Sequence, residues 1–504
     1  MRCNRTFYPQ VAATTLTGTT GNNVLNAPGS VSSLVQGLAG ADTITLSLVN
    51  DEAQGGKGAD LITLTASGTI ASTVSGGAGN DSVNFTGATA FSGYVDLGAG
   101  ADTIQVLSTA SFSNANVYGG EGADTLTITN ALVGSTIGAG SGADILSFSG
   151  AQALTTSLVF GGKQKDTITL ANGETASFAS IGGGKGADVL TLSAAGALAN
   201  TNVGGGQGTD SITVVAATAS VSGGGLSDTI QLRTFAGGRV YGDGVGVTTA
   251  GTGTGGAADG ADSISTTVAA TAATSIYGGG GADTINISSG ALNLTQINGG
   301  NGADSIRFAG SADGVITTFN SVNGGAGADT ISVGTQINGF SAIGGVGTIN
   351  GGAGSDLVII QAASGVTASS MATSTLTALT NLGFVIAGAG TGDVVRIGNN
   401  AAVTANVTQT NWAAATPQIN IYSALSTFSA DQAAGAGSVS VFSDGTDSLI
   451  TISSNAGGTS LFTIFVDGKD LTGTSLFGDV LMTASNVGFS VTGAGEEGIN
   501  ITFN

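Results

Sequence analysis

The sequence predicts an all-β chain whose body is a right-handed parallel β-solenoid. Three observations carry this: a motif recurring at a near-constant interval, a glycine-packed turn in each copy, and period-two alternation after each turn. Ile276–Ser288 shows them together, reading I-Y-G-G-G-G-A-D-T-I-N-I-S. Twenty-one residues later Ile297, Gly299, Gly300, Gly302, Asp304, Ile306 and Phe308 repeat it.

In chain order, residues 1–30 read as a lead-in or cap, with Thr17–Asn26 as a degenerate first turn in which Asn23 stands in the aspartate's place. Residues 31–361 are the solenoid, with one glycine turn per coil of about 21 residues. The aspartates that close a turn and open a strand are Asp42, Asp60, Asp81, Asp102, Asp124, Asp144, Asp166, Asp188, Asp210, Asp228, Asp262, Asp283, Asp304, Asp329 and Asp356.

Two residues after each aspartate stands an apolar side chain, from Ile44 and Ile62 to Val358. The positions one and three after are mostly Thr, Ser, Asn or Gln, so the strand buries one face. Seven residues before, Val74, Val95, Val117 and their equivalents mark a second strand entering the turn. One coil cannot bury its own apolar stripe, whereas stacked coils can. The crossover rule gives the right hand. Fifteen coils at the ~4.8 Å strand spacing make a rod on the order of 70 Å long.

The variable stretches, such as Ser67–Thr73 and Ser193–Asn202, form the opposite edge. Val245–Asp259 is a Gly/Thr-rich insertion expected to protrude, and a shorter insertion precedes Asp356. Residues 362–504 leave the pattern. They hold Trp412 and Phe428, Phe442, Phe462, Phe465, Phe477, Phe489 and Phe503, and Val439–Val466 alternates as antiparallel strands do. This reads as a β-rich C-terminal region for assembly or secretion.

Composition excludes several functions. Eleven Lys/Arg against 32 Asp/Glu give a net charge of −21, which disfavours nucleic acid and favours cations as partners. With no histidine and a single cysteine, Cys3, there is no Ser-His-Asp or Cys-His nucleophile, no His-ligated zinc and no intrachain disulfide. No apolar run is long enough for a transmembrane helix, and Thr6–Gly18 lacks the apolar core of a secretory signal.

The turn G-G-x-G-x-D admits two roles for its aspartate. It can hydrogen-bond turn backbone, with the glycines supplying positive φ. Alternatively it can bind metal. Stacking places the carboxylates about 5 Å apart, where each neighbour pair repels by roughly 1 kcal/mol in water and about 3–4 kcal/mol at an effective dielectric near 20. Only Lys57, Lys163, Lys165 and Lys185 lie in the turns to offset this. Calcium, which takes six to eight oxygens from carboxylates and carbonyls, removes the repulsion. The expected ligands are Asp42, Asp60, Asp81, Asp102, Asp124, Asp144, Asp188, Asp210, Asp283, Asp304, Asp329 and Asp356. Asp166 and Asp228 stand in broken frames, with Gln164 and Leu226 for glycine, and Asp262 follows Ala257-Ala258-Asp259-Gly260.

The turns ending at Asp81, Asp124, Asp304 and Asp329 (G-G-A-G-N-D, G-G-E-G-A-D, G-G-N-G-A-D and G-G-A-G-A-D) resemble the RTX, or repeats-in-toxin, nonapeptide over about residues 17–360. The resemblance implies a calcium-loaded parallel β-roll, type I secretion, and folding outside the cell. Asp444–Leu471 is similar to the region that follows such repeats near an uncleaved secretion signal. One turn per coil departs from that family's two, so calcium is expected along one edge only.

The outward pairs Thr43/Thr45, Thr125/Thr127 and Thr167/Thr169 form a T-x-T array of the kind that binds ice on some solenoids. Gln105, Gln231 and Arg307 interrupt it, which fits an ordinary solvated face. The function expected is therefore non-catalytic: a secreted, calcium-dependent, self-assembling structural protein such as an S-layer subunit or surface filament. The alternative is an adhesin that binds carbohydrate or a cell-surface glycan through the C-terminal region.

Overall fold

The computed structural model describes residues 14–361 apart from 30, 88–89, 107–110, 150–152, 172–174, 194–197, 245–259, 268–273, 288–292, 309–317 and 334–347, and eight strands beyond. The two insertions and Trp412 lie outside the described residues. Every described element is a strand or a turn, as the alternation predicts. The chain divides into two compact units, residues 1–228 and 229–504.

In the first unit each coil has an entry strand before the glycine turn and an exit strand after the aspartate. Each pairs in parallel with its equivalent one coil away. Thr103–Val106 lies between Ser82–Phe85 and Thr125–Ile128, so Ile104 stacks on Val83 and Leu126. Tyr94–Ala99 lies between Thr73–Ala78 and Asn116–Glu121, with Val95 on Val74 and Val117. These apolar positions are all buried, and stacked identical ladders fill the narrow core. A third, short strand closes the coil. There Phe91 and Phe112 pack edge-on against each other and against Phe85, with centroids 4.9–5.4 Å apart.

The lead-in joins this unit as its first coil. Thr14–Thr17 pairs with Ser33–Ala39 and Val24–Asn26 with Thr43–Leu46. Among the described residues neither has a neighbour on its other side, and Val24 is 75% exposed.

The second unit stacks in the same way from Thr229–Asp243, which pairs with Ser263–Thr266 and Thr274–Gly280. Parallel stacking runs one coil past Gln361, the boundary expected for the solenoid. Phe384–Ala387 lies on Thr348–Ala353, and Val394–Gly398 on Leu357–Gln361. That coil is apolar enough to extend the ladder (F-V-I-A and V-V-R-I-G). Between its strands the sequence reads G-A-G-T-G-D, ending at Asp393 with Ile386 seven before and Val395 two after, a degenerate copy of the motif outside the expected solenoid. Its outer edge is occupied. Ser460–Val466 pairs with Phe384–Ala387, and Gly498–Phe503 runs antiparallel on Val394–Gly398. Ser438–Ser443, Ser448–Ser453 and Ser460–Val466 form the antiparallel meander that the alternation of Val439–Val466 indicates.

Candidate metal-binding ladder

Each site begins with a tight turn whose stacking favours glycine. Gly77 and Gly79 hold φ near +117° and +129°, and a Cβ on either would sit 2.1 Å from the carbonyl oxygen of Gly56 or Gly58 in the coil before. Left-handed backbone and close stacking thus favour the same residue. Where Gln164 and Leu226 replace glycine, the backbone keeps the same hand, at φ 70° each.

The turn delivers its aspartate inward. All fifteen aspartates are buried, none more than 2% exposed. In the first unit they form one column. The backbone N–H of Asp42 donates to Oδ1 of Asp60 at 2.7 Å, Asp60 to Asp81 at 2.8 Å, and Asp124 to Asp144 at 2.7 Å. The column continues through Asp166, Asp188 and Asp210 to Asp228. In the second unit Asp262, Asp283, Asp304, Asp329 and Asp356 repeat it at 2.8–2.9 Å. Asp166, Asp228 and Asp262 hold ladder positions despite their altered frames. Asn23 ends the first column, donating its N–H and Nδ2 to Asp42 Oδ1 at 2.7 and 2.9 Å.

The hydrogen-bonding role that competes with metal binding is therefore real, but it uses one oxygen and reaches the neighbouring coil rather than the aspartate's own turn. The other oxygen is left over. Oδ2 of Asp42, Asp60, Asp81, Asp102, Asp124, Asp144, Asp166, Asp188, Asp210, Asp283, Asp304 and Asp329 is buried with no hydrogen-bond partner among the described residues. A backbone carbonyl of the next coil lies near several of them, around the same glycine Cα. The point where a Cβ would stand on Gly37 is 2.3 Å from Asp42 Oδ2 and 2.4 Å from the Gly55 carbonyl oxygen. The same pairing joins Asp124 with the Ala139 carbonyl, Asp210 with Gly223, and Asp304 with Gly324.

A buried carboxylate oxygen with no hydrogen bond is satisfied by a proton or a cation. Burial, reinforced by neighbouring carboxylates, pushes Asp81, Asp124, Asp166 and Asp304 up to about 7 and Asp283 to about 8, against the lowering effect of the backbone N–H. Asp210 and Asp329 rise to about 6 for the same reasons. Among the described residues no three His, Cys, Asp or Glu side chains converge on a metal position. The donor set is therefore one carboxylate oxygen per coil plus backbone carbonyls. All are hard oxygens, which fit calcium and not a thiolate- or imidazole-seeking metal.

A second ladder at another corner escapes the motif. Nine residues before the aspartate stand Ser33, Asp51, Ser72, Ser135, Ser157 and Thr201, all buried. Ser33 N–H donates to Asp51 Oδ1, Ala115 N–H to Ser135 Oγ, and Ser135 N–H to Ser157 Oγ. Its signal is a small polar residue at a fixed offset, easily lost among the chain's many serines and threonines. The outward T-x-T face is interrupted further by the exposed Leu61 and Ile145.

Stacked parallel coils with a buried carboxylate column define the class: an all-β parallel solenoid with one polar, cation-suited corner. No protein-family model matches the chain, and no curated protein matches it in sequence. Among solved structures it is similar to a hyperactive, Ca2+-dependent, β-helical antifreeze protein from an Antarctic bacterium. That similarity has 19% identity and a TM-score of 0.38 over 60% of this chain and 86% of that one. Among the described residues no helix is long and apolar enough to cross a membrane.

Proposed function

We propose that this chain is a secreted, non-catalytic structural protein that folds on calcium and assembles with copies of itself, as an S-layer subunit or surface filament does. One observation carries the calcium reading: among the described residues twelve buried Oδ2 atoms are without a hydrogen bond, and nine of them lie near a carbonyl of the next coil. Calcium supplies the positive charge that lets these carboxylates stay ionised in the interior. The chain's own part is to fix Oδ1 by the neighbouring N–H and to present Oδ2 and the glycine-turn carbonyls, Gly55, Gly76 and Ala139 among them, toward the ion. Calcium concentrations outside cells suit such carbonyl-rich sites.

The assembly reading is supported by the unequal ends. The far strands Phe384–Ala387 and Val394–Gly398 are paired within the chain, whereas Thr14–Thr17 and Val24–Asn26 offer unpaired backbone among the described residues. Open strand edges are templates for pairing. The test is bound-calcium analysis together with sedimentation of the full chain across a calcium titration. Several calcium ions per chain and calcium-triggered assembly are expected. No bound calcium would falsify the metal reading. Calcium-loaded protein that stays monomeric at high concentration replaces assembly with the adhesin reading.

A further inference from the structure

Burial changes what the net charge means. Of the chain's 32 acidic residues, seventeen among the described residues are interior: the fifteen ladder aspartates, Asp51 and Asp243. Apart from these, residues 1–361 carry nine Lys/Arg against six acids, while residues 362–504 carry nine acids against only Arg396 and Lys469. The solenoid sequence is thus weakly cationic beyond its ladder, and the C-terminal segment is strongly anionic.

Three of those cations are gathered in two adjacent coils. Lys163 and Lys185 oppose each other in register on parallel strands, and Lys165 follows in the first of the two turns. All three are exposed. Their register neighbours along the edge, Ser141 and Gln207, are uncharged. Like charges directly opposed on paired strands are unfavourable, so the chain gains nothing from the arrangement by itself. The lysines do not serve as counter-charges to the ladder either. The charged neighbours that shape Asp166 are Asp144 and Asp188.

Apolar surface adjoins them. Leu158 and Phe160, on the strand that ends at Lys163, are 50% and 37% exposed. The Phe160 ring lies over Gly138, and its register neighbour on the other side is Gly182, which leaves bare backbone there. A half-exposed aromatic ring on the strand that leads into the lysine cluster, beside uncovered backbone, has the make-up of an interface centre. The C-terminal sequence offers the complement, with Phe442 near Asp444 and Asp447, Phe465 near Asp467 and Asp470, and Phe477 near Asp479.

We propose that Lys163, Lys165 and Lys185, with Leu158 and Phe160, form a docking patch for the acidic, phenylalanine-rich segment 362–504 of a second copy of this chain. The proposal rests on the assembly reading and names its contact. Charge pairing of this kind sets encounter and register, and added salt weakens it.

The test uses the full chain in millimolar calcium, mixed from nitrogen-14 and nitrogen-15 preparations and joined by a zero-length carbodiimide cross-linker. Mass spectrometry should find heavy–light links between the three lysines and carboxylates between Asp393 and Glu497. The variant Lys163→Glu/Lys165→Glu/Lys185→Glu, with its β-sheet circular dichroism unchanged, should need about tenfold more protein to assemble. Should it misfold, Lys163→Gln/Lys185→Gln gives the same readout more mildly. Links confined to single copies overturn the proposal in favour of docking within one chain. Assembly undiminished by the charge reversal overturns it while leaving self-assembly standing, and an unmodified chain that never assembles removes both.

Discussion

The two polar corners of the coil solve one problem with different residues. At each, a side-chain oxygen takes the backbone N–H of the preceding coil: Asp144 Oδ1 from Asp124 at one corner, Ser135 Oγ from Ala115 at the other. The serine corner is complete, because Ser135 Oγ also donates to the Val133 carbonyl. The aspartate corner is not, since its second oxygen is buried without a hydrogen bond. A hydroxyl supplies its own proton, whereas a carboxylate needs donors for both oxygens, as Asp51 finds in the N–H groups of Ser33, Ser47 and Leu48, or else a proton or a cation. One corner therefore makes a plain fold, and its counterpart makes the fold conditional on the solution around it.

The largest break of this symmetry is chelation. Removing calcium leaves a column of buried, mutually repelling carboxylates but changes nothing at the serine corner. The thermal midpoint should fall on the order of 20 °C, with loss of far-UV β signal. A midpoint indifferent to EDTA would show that the column is satisfied without metal.

Acidity should act in opposite senses with and without the ion. In chelator, the folded state holds Asp81, Asp124, Asp166 and Asp304 near 7 and Asp283 near 8, against an ordinary value of 3.8. The folded chain then binds more protons than the unfolded one across pH 4–8. Metal-free stability is greatest below about pH 4 and is lost as the pH rises through 6 to 8. With calcium the carboxylates stay ionised, so acid displaces the metal and the two stability curves meet near pH 5. Melting scans at pH 5 and 8, with and without EDTA, check this. A metal-free chain that is firmer at pH 8 than at pH 5 contradicts it.

Substitution within the column sharpens the contrast further. Asp124→Asn keeps Oδ1 for the Asp102 N–H and places an N–H₂ beside the Ala139 carbonyl. It should stabilise the metal-free chain at pH 8, weaken the calcium-loaded one, and cost about one bound ion. Asn23 is the native precedent, its Nδ2 reaching both Asp42 Oδ1 and the Gly21 carbonyl. Ser135→Ala, by contrast, strips the Ala115 N–H of its acceptor. It should cost about 1–3 kcal/mol equally with and without calcium in paired denaturation curves.

Much of this was legible in the sequence. Alternation after each aspartate fixed the exit strands, and every expected ligand position proves to be a ladder aspartate. Three things were hidden. The coil at Phe384–Ala387 and Val394–Gly398 carries only a degenerate motif, with its glycines at Gly388, Gly390 and Gly392 before Asp393 and a long spacing from Asp356. The broken frames at Gln164 and Leu226 look disabling, yet each side chain projects outward from left-handed backbone and the stack holds. The split labour of each carboxylate is a property of stacking between coils, so no single repeat displays it.

The smallest effect expected is on the outward face, and it sets the baseline for both corners. Thr127 follows the ladder aspartate by three positions and stands between Gln105 and Ser147 on the neighbouring strands. It is half-buried beside solvent, and its core-facing neighbours Leu126 and Ile128 fill the interior without it. Thr127→Ala removes one methyl and one hydroxyl, with a slight loss of strand preference, so stability should move by no more than about 0.5 kcal/mol with or without calcium. Denaturant midpoints measured beside Ser135→Ala decide the matter. A Thr127→Ala change as large as that of Ser135→Ala, or one that grows when calcium is removed, would mean that polar residues hold the coil together wherever they stand, and the distinction between its two corners would fail.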